Sequence, residues 1–220
     1  MLNEIKASAT VVDRAIGGQG LSGTWQESPL VGADALLKAH HGGSPKTFRL
    51  IERPFLELVN VRGDTRDPAF AKAVQSVIGC VPPEKANTVA RGNGYTMLWL
   101  GPDEWLVYSD KAHDASRPAP LEAKLREVFV GQFSAAVDIG SGYTVLEIDG
   151  PKTREVLLRG CPLDLHPKVF GEGQCAQSHY FKASLTLVPL GGDRYELIVR
   201  RSFADYFLKM MLDAAEPLLS

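Results

Sequence analysis

The sequence predicts an α+β protein made of two pseudo-symmetric β-α-β-β-α units that pack as one body. An apolar segment at residues 57–61 leads into a helical pattern that ends at Gly79-Cys80. A similar segment at residues 145–149 leads into a helical pattern that ends at Gly160-Cys161. Each helical pattern is followed by two apolar runs around an acidic turn, and then by an amphipathic helix. Matching units of this kind are typical of a duplicated scaffold whose core follows the internal seam.

Composition and charge restrict the class of protein. The chain has 220 residues, of which 45% are hydrophobic and 23% charged, and its net charge is −2. These values are ordinary for a globular protein with a substantial core, and the charge gives no indication of nucleic-acid or membrane-surface binding. Three cysteines are too few for a disulfide framework, and neither a membrane-spanning run nor a secretion signal is evident. We therefore expect a cytoplasmic protein in a reducing compartment.

The first 46 residues differ from the rest of the chain. They are rich in glycine and poor in periodic apolar residues, so they cannot build a core alone. We expect residues 1–46 to form a glycine-rich N-terminal arm that is mobile or lies on another surface. The first α+β unit is expected at residues 47–118 and the second at residues 119–220, with the boundary in the loop 110–119.

The early helices carry clear signals. Asp67-Pro68 places an N-cap residue before a proline at the first helical position. Behind it, apolar side chains at helical spacing predict one buried face, formed by Phe70, Val74, Val77 and Ile78. The next helix repeats this spacing at Leu121, Leu125, Val128 and Phe129. Between the two helices, residues 95–100 and 105–108 predict a hairpin around the turn 101–104.

The second unit follows the same order. Pro151 opens a short third helix that stops at Gly160, and residues 184–190 and 195–199 predict a second hairpin. Residues 202–205 resemble a capping box at the start of the last helix. The buried stripe of that helix is predicted at Phe203, Tyr206, Phe207, Met210 and Met211.

One segment imitates a dinucleotide site. Residues 18–23 match the Gly-x-Gly-x-x-Gly fingerprint, which requires a helix that starts within the motif. Pro29 follows where the interior of that helix should be, and no acidic residue occurs about 20 positions on to bind a ribose. We therefore predict a glycine-rich loop and no NAD site.

A second group imitates a metal site, formed by Cys161, His166, Cys175 and His179. If residues 174–181 form a strand, Cys175 and His179 lie about 13 Å apart. Zinc bonds are only about 2.0–2.3 Å long, so one ion cannot bridge them. We expect the thiols to pack as small apolar groups.

Catalytic groups are also absent from the pattern. Cys80 and Cys161 each follow a glycine at a predicted helix C-terminus, where the helix dipole raises the pKa of a thiol. Asp103 and Asp193 occupy corresponding hairpin turns, where aspartate binds nearby backbone amides. Asp138 lies before a turn, and a turn-capping role is preferred over a catalytic one. The sequence predicts no catalytic residue, cofactor site or metal ligand on this chain.

The strand at residues 95–100 is apolar on both faces, with Tyr95, Met97 and Trp99 on one face and Leu98 and Leu100 on the other. Such a strand is covered on both faces, either by helices of this chain or by a partner. Residues considered for a partner interface are Trp25, Arg53, Trp105 and Arg201.

Several blocks of sequence resemble one family. Residues 100–107 (LGPDEWLV) resemble a signature block of the γ subunit of heterotetrameric sarcosine oxidase. The second half agrees, since Gly150-Pro151 opens a helix, residues 160–166 are GCPLDLH and residues 195–199 are YELIV. The resemblance covers about residues 25–215. The same layout is similar to the folate-binding domain of the glycine-cleavage aminomethyltransferase family.

The resemblance implies a non-catalytic gamma subunit in a heterotetramer that oxidatively demethylates sarcosine to glycine and produces hydrogen peroxide. It implies that FAD, FMN, NAD, tetrahydrofolate and zinc are held by other subunits and that no cofactor is bound to this chain. The implied partners are the alpha, beta and delta subunits, mainly the large alpha subunit. Under this hypothesis the arm of residues 1–46 lies against the partner.

Two other functions stay open. The first is a stand-alone folate-binding protein or aminomethyltransferase-like enzyme, in which Asp138 or Asp149 would bind the pterin ring. The second is a regulatory module with a different partner. Saturable folate binding by the purified chain would favour the first of these alternatives.

Overall fold

The computed structural model describes residues 27–33, 36, 47–112 and 119–218. Most of the predicted arm lies outside the described residues, as do Trp25 and the motif at residues 18–23. In the described part of the arm, Leu30 and Ala33 are buried against the body of the protein. These two side chains therefore belong to the core.

The body consists of two repeats of the order β-β-α-β-β-β-α. The first repeat contains β1 (Arg49–Arg53), β2 (Leu56–Arg62), α1 (Pro68–Ile78), β3 (Val89–Gly92), β4 (Tyr95–Gly101), β5 (Glu104–Ala112) and α2 (Leu121–Val128). The second repeat contains β6 (Ala135–Asp138), β7 (Tyr143–Asp149), α3 (Thr153–Leu158), β8 (Ala176–Tyr180), β9 (Ala183–Gly191), β10 (Arg194–Arg200) and α4 (Ala204–Ala215). The predicted duplication and both predicted hairpins are confirmed. Each repeat also has one strand at its start and one before its hairpin; the sequence pattern did not indicate β1, β3 or β6, whereas β8 falls within the residues 174–181 that were considered as a strand.

The first strand of each repeat lies in the sheet of the other repeat. Sheet I has the order β1-β7-β10-β9-β8, and sheet II has the order β6-β2-β5-β4-β3. All neighbouring strands are antiparallel. The predicted division between residues 118 and 119 is therefore wrong, because β1 joins the strands of the second repeat while α2 and β6 join those of the first. The cause is burial, since Leu121 and Leu125 of α2 are fully buried against sheet II.

The two sheets pack face to face, and each is covered on its outer face by two helices. Helices α1 and α2 cover sheet II, whereas α3 and α4 cover sheet I. In β5, Trp105 and Val107 face the helices, while Leu106 and Tyr108 face the opposite sheet. We call the space between the two sheets the seam. Its buried cluster contains Leu56, Leu58, Leu98, Leu106, Tyr108, Val145, Cys175, Val188 and Ile198.

The helix termini follow the sequence signals in the first repeat and depart from them in the second. Asp67 Oδ1 accepts a hydrogen bond from the Ala69 amide at 2.9 Å, and Gly79 ends α1 in the left-handed conformation, as predicted. Helix α4 instead follows a 3-10 turn at Arg201–Phe203, and no side chain of the described residues caps its first amides. The predicted capping box is therefore wrong, and Phe203 is partly exposed.

Candidate functional site

The three described residues considered for a partner interface lie in different surroundings. Trp105 is 0% exposed, its indole N–H donates to the Pro83 carbonyl at 2.9 Å, and its ring lies 5.6 Å from that of Phe70. Contrary to the sequence prediction, Trp105 is a core residue whose side chain is not available to a partner. The alternating pattern of the strand does not distinguish a face that is covered by helices of the same chain from a face that binds a partner. Arg201 is exposed and donates to the Glu27 carbonyl at 3.2 Å.

Arg53 lies at the seam, where it joins the two sheets. Its guanidinium donates to Glu196 Oε1 on sheet I and, at 2.5 Å, to the Asp110 carbonyl on sheet II. The Tyr108 hydroxyl donates to the other carboxylate oxygen of Glu196 at 2.5 Å. Burial and the neighbouring Glu196 carboxylate raise the pKa of Tyr108 well above its usual value. We call Arg53, Tyr108, Asp110 and Glu196 the seam network.

The seam network is built for cohesion and not for chemistry on a substrate. The Glu196 side chain is 4% exposed, and each of its oxygens already accepts a hydrogen bond. A buried carboxylate needs such partners, because an unpaired charge in the interior is costly. With its oxygens occupied and its access closed, Glu196 is not positioned to act as a general base.

The acidic residues considered for a pterin site are also engaged in structure. Asp138 Oδ1 accepts from the Gly140 amide at 2.8 Å, so the predicted turn-capping role is confirmed. The Asp149 side chain is 13% exposed and forms an ion pair with Arg49 on β1. The two aspartates lie in different sheets, on β6 and β7.

The cysteines are unpaired thiols in packing positions. Burial raises the pKa of Cys80 above its usual value and raises the pKa of Cys175 to about 11. The Cys161 sulfur is buried 3.7 Å from the Ser178 hydroxyl. Raised thiol pKa values disfavour the nucleophilic thiolate at Cys80 and Cys175.

A groove at the edge of sheet II was not indicated by the sequence pattern. It lies between α2 and the edge strand β6, has a volume of about 470 Å³, and is lined by Glu122, Arg126, Phe129, Val130, Ser134, Ala135, Ala136 and Val137. We call it the β6 groove. Three exposed apolar residues, which we call the apolar rim, are Val130 (82% exposed) and Val137 (53% exposed) from the lining and the fully exposed Phe133 next to Ser134 in the chain. The only sequence signal is the apolar pair Val130 and Phe133 in a loop after an amphipathic helix, and this signal does not reveal exposure.

Two polar atoms beside the β6 groove lack partners. Ser134 Oγ and Gln132 Oε1 are both buried, and neither makes a hydrogen bond within the described residues. Buried polar atoms are nearly always hydrogen-bonded in native proteins. The two residues that carry these atoms are the sequence neighbours of Phe133, which is fully exposed.

Two negative findings hold for the described part of the chain only. There, no group of three or more histidine, cysteine, aspartate or glutamate residues is arranged to hold a metal ion. None of the helices in the same ranges is long and apolar enough to cross a membrane.

Comparison with known sequences finds one family whose model matches most of the chain. Residues 62–216 match the sarcosine oxidase, gamma subunit family. Sarcosine oxidase subunit gamma from Corynebacterium sp. (strain P-1) is 29% identical over 174 residues, which cover 79% of this chain and 82% of that protein. The subunit from Corynebacterium sp. (strain U-96) is 27% identical over 192 residues, which cover 86% of this chain and 89% of that protein.

Comparison with solved structures gives the same fold. A chain of the heterotetrameric sarcosine oxidase from Corynebacterium sp. U-96 matches with a TM-score of 0.80 and 24% identity, over 90% of this chain and 98% of that chain. The glycine cleavage system aminomethyltransferase T from Bartonella henselae matches with a TM-score of 0.59 and 14% identity, over 80% of this chain and 48% of that chain. These likenesses confirm the predicted α+β fold and its similarity to the aminomethyltransferase.

Proposed function

Because the chain belongs to the sarcosine oxidase gamma subunit family, we propose that it is a non-catalytic, scaffolding subunit of a heterotetrameric sarcosine oxidase. The complex would oxidise the N-methyl group of sarcosine, release glycine and pass the electrons to oxygen to give hydrogen peroxide. FAD, FMN, NAD, tetrahydrofolate and zinc would be held by the other subunits. The partners would be the alpha, beta and delta subunits, mainly alpha, in a cytoplasmic assembly.

The observation that carries the scaffolding role is the engagement of the chain's buried reactive groups in packing. The carboxylate of Glu196 is closed off by Arg53 and Tyr108, and Asp149 is paired with Arg49. The Cys175 thiol is held in the neutral form by burial. Because these acids and this thiol serve packing, the chain would contribute a rigid surface to the complex and no reactive group.

Among the residues considered for the interface, Arg201 is retained in the proposal. It is exposed at the start of the 3-10 turn before α4, and within the described residues its guanidinium donates to the Glu27 carbonyl. A solvent-exposed guanidinium is well suited to bidentate recognition of a carboxylate on another protein. Trp25 stays a proposed interface residue outside the described part of the chain.

An omission experiment tests the proposed function. The complete set of oxidase subunits is co-expressed with and without this chain, and the flavin content, the mass of the complex and the sarcosine-dependent release of hydrogen peroxide are measured. We expect omission to abolish the complete complex, and the purified chain to be colourless and inactive. Full assembly and activity without this chain, or oxidation of sarcosine by this chain alone, would contradict the proposal.

Folate binding is the second candidate function, and the likeness to aminomethyltransferase T favours it at the level of fold. A titration of the purified chain with tetrahydrofolate, followed by tryptophan fluorescence, tests this candidate. Saturable binding that is lost in Asp138→Asn or Asp149→Asn would support it. A flat titration would eliminate it and leave the scaffolding role.

A further inference from the structure

We propose that the open edge of β6 is the attachment site for a neighbouring subunit of the oxidase. In this proposal, which rests on the proposed function, an extended and largely apolar segment of that subunit pairs with β6 and lies in the β6 groove. Addition of a strand to an exposed sheet edge is a common mode of protein recognition, in which main-chain hydrogen bonds supply affinity and side-chain pockets supply specificity.

Two residues of β6 direct their backbone hydrogen-bonding groups away from β2. The Ile139 amide donates to the Leu58 carbonyl at 2.9 Å, and the register pairs Val137 with Asn60. Because antiparallel pairing alternates, Ala135 and Val137 bond to β2, while the N–H and C=O groups of Ala136 and Asp138 point away from it. No other strand of the described chain pairs with that side of β6.

The side chains around this edge favour an apolar occupant. Val130 and Val137 line the groove and are 82% and 53% exposed, and the fully exposed Phe133 lies between them in the chain. Exposed apolar surface beside a groove is a common feature of protein interaction sites. The charged residues of the groove, Glu122 and Arg126, already pair with each other at 3.1 Å, so they leave no net charge to select a charged ligand.

The unpaired atoms at the groove indicate where a partner would add hydrogen bonds. Ser134 Oγ and Gln132 Oε1 are both buried without a partner in the described residues, and Ser134 lines the groove. A peptide segment seated beside Ser134 brings amide and carbonyl groups that can satisfy such atoms. The groove therefore combines main-chain, side-chain and apolar complementarity to a strand.

The other three sheet edges are better protected. Edge strands usually carry charges or covers that prevent pairing with another chain. Strand β1 carries Arg49, Glu52 and Arg53, and β8 exposes Gln177 and His179. Strand β3 exposes Arg91 and donates from the Val89 amide to the Gly173 carbonyl. In β6, by contrast, three of four residues are Ala or Val, and Asp138 is turned to cap Gly140.

A pair of substitutions at one position tests the strand pairing. Asp138→Pro removes the outward amide, whereas Asp138→Asn keeps the amide and a side-chain oxygen for Gly140. Both variants are co-expressed with the other oxidase subunits, and the share of this chain that sediments with the complex is measured. We expect Asp138→Pro to lower the association constant about tenfold or more and Asp138→Asn to leave it near the wild-type value. Matched circular dichroism spectra and melting temperatures of the isolated variants exclude a folding defect.

A second pair of substitutions tests the apolar rim. Phe133→Ser is expected to weaken assembly, and Leu158→Lys serves as its control, because Leu158 is 58% exposed on α3, away from β6. Equal assembly of Phe133→Ser and wild type would overturn the apolar part of the proposal.

Hydrogen exchange in the assembled complex supplies the direct readout. We expect the amides of Ala136 and Asp138 to exchange at least about tenfold more slowly in the complex than in the isolated chain. If the complex forms and these amides stay unprotected, the β6 proposal is wrong while the subunit role stands. If the chain recruits no other subunit, both proposals are wrong. If β6 is protected by a second copy of this chain, seen as a doubled mass of the isolated protein, the proposed occupant is wrong.

Discussion

The strands β1 and β6 begin the two repeats, and each lies in the sheet of the other repeat. The two strands differ in their side chains, which are mainly charged in β1 and mainly apolar in β6. The register makes Arg49 of β1 equivalent to Ala135 of β6, because they face Asp149 and Arg62 at the ends of equivalent strands. Arg49 pairs with Asp149 across its strand pair. Ala135 has no charged group to offer Arg62, which pairs instead with Asp103 and Glu104.

The difference continues along both strands. Glu52 of β1 accepts hydrogen bonds from Ser28 at 2.5 Å and Thr144 at 2.7 Å, and Arg53 joins the seam network. Asp138, the counterpart of Glu52, bonds only locally to the Gly140 amide among the described residues. A duplicated fold has thus used the charged side chains of one edge for internal cohesion and left the other edge apolar and open. The comparison indicates that function can diverge between repeats at an edge strand while both cores are kept.

The largest expected effect on stability comes from removing the seam network that holds β1. Glu196→Ala removes the carboxylate that holds Arg53 and Tyr108, and we expect the free energy of unfolding to fall by about 3 kcal/mol, because the partly buried Arg53 guanidinium and the buried Tyr108 hydroxyl both lose their acceptor. Asp138→Ala in β6 is the matched change, with an expected loss of about 1 kcal/mol for one hydrogen bond. Urea denaturation of both variants measures the difference. Equal losses would remove the contrast between the two edges.

Alkaline pH is expected to lower the contribution of the seam network to stability, through ionisation of Tyr108. Its pKa is raised in the folded protein, so above about pH 10 the unfolded chain loses a proton that the folded chain keeps. This contribution to stability is complete below pH 10 and falls by about 1.4 kcal/mol per pH unit above it. Tyr108→Phe should cost about 1 kcal/mol at pH 8 through the lost hydrogen bond. The gap between wild type and variant should then close towards pH 11 in denaturation curves, and a constant gap would contradict the assignment.

The smallest expected effect on stability comes from giving β6 the kind of charge that protects β1. Ala135→Glu places a carboxylate opposite Arg62, and an exposed cross-strand pair of this kind changes stability by only about 0.5 kcal/mol. The charge should nevertheless weaken assembly with the other subunits, because it lies beside the proposed docking edge. Thermal denaturation and sedimentation of the co-expressed complex measure the two quantities. Unchanged assembly would show that the open edge of β6 is not used.

The sequence carried the local features of the fold and missed the long-range ones. The Asp67-Pro68 signal, the two hairpins and the Asp138 cap depend on neighbouring residues, and each was predictable. The exchange of β1 and β6 was not predictable, because Arg49 meets Asp149 about 100 residues away and nothing in the local pattern selects that partner. The burial of Trp105 and the exposure of Phe133 also depend on where helices pack, so the interface predicted from aromatic and arginine residues was partly misplaced.

Photocrosslinking from the two equivalent edges tests the central claim most directly. A photoreactive p-benzoylphenylalanine is placed at Val137 of β6 or at its counterpart Ile51 of β1, in the complete co-expressed oxidase. We predict a crosslink from position 137 to another subunit, identified by mass spectrometry, and none from position 51. Crosslinks from position 51 alone, or from neither position in a complex that has formed, would contradict the assignment of β6 as the docking edge.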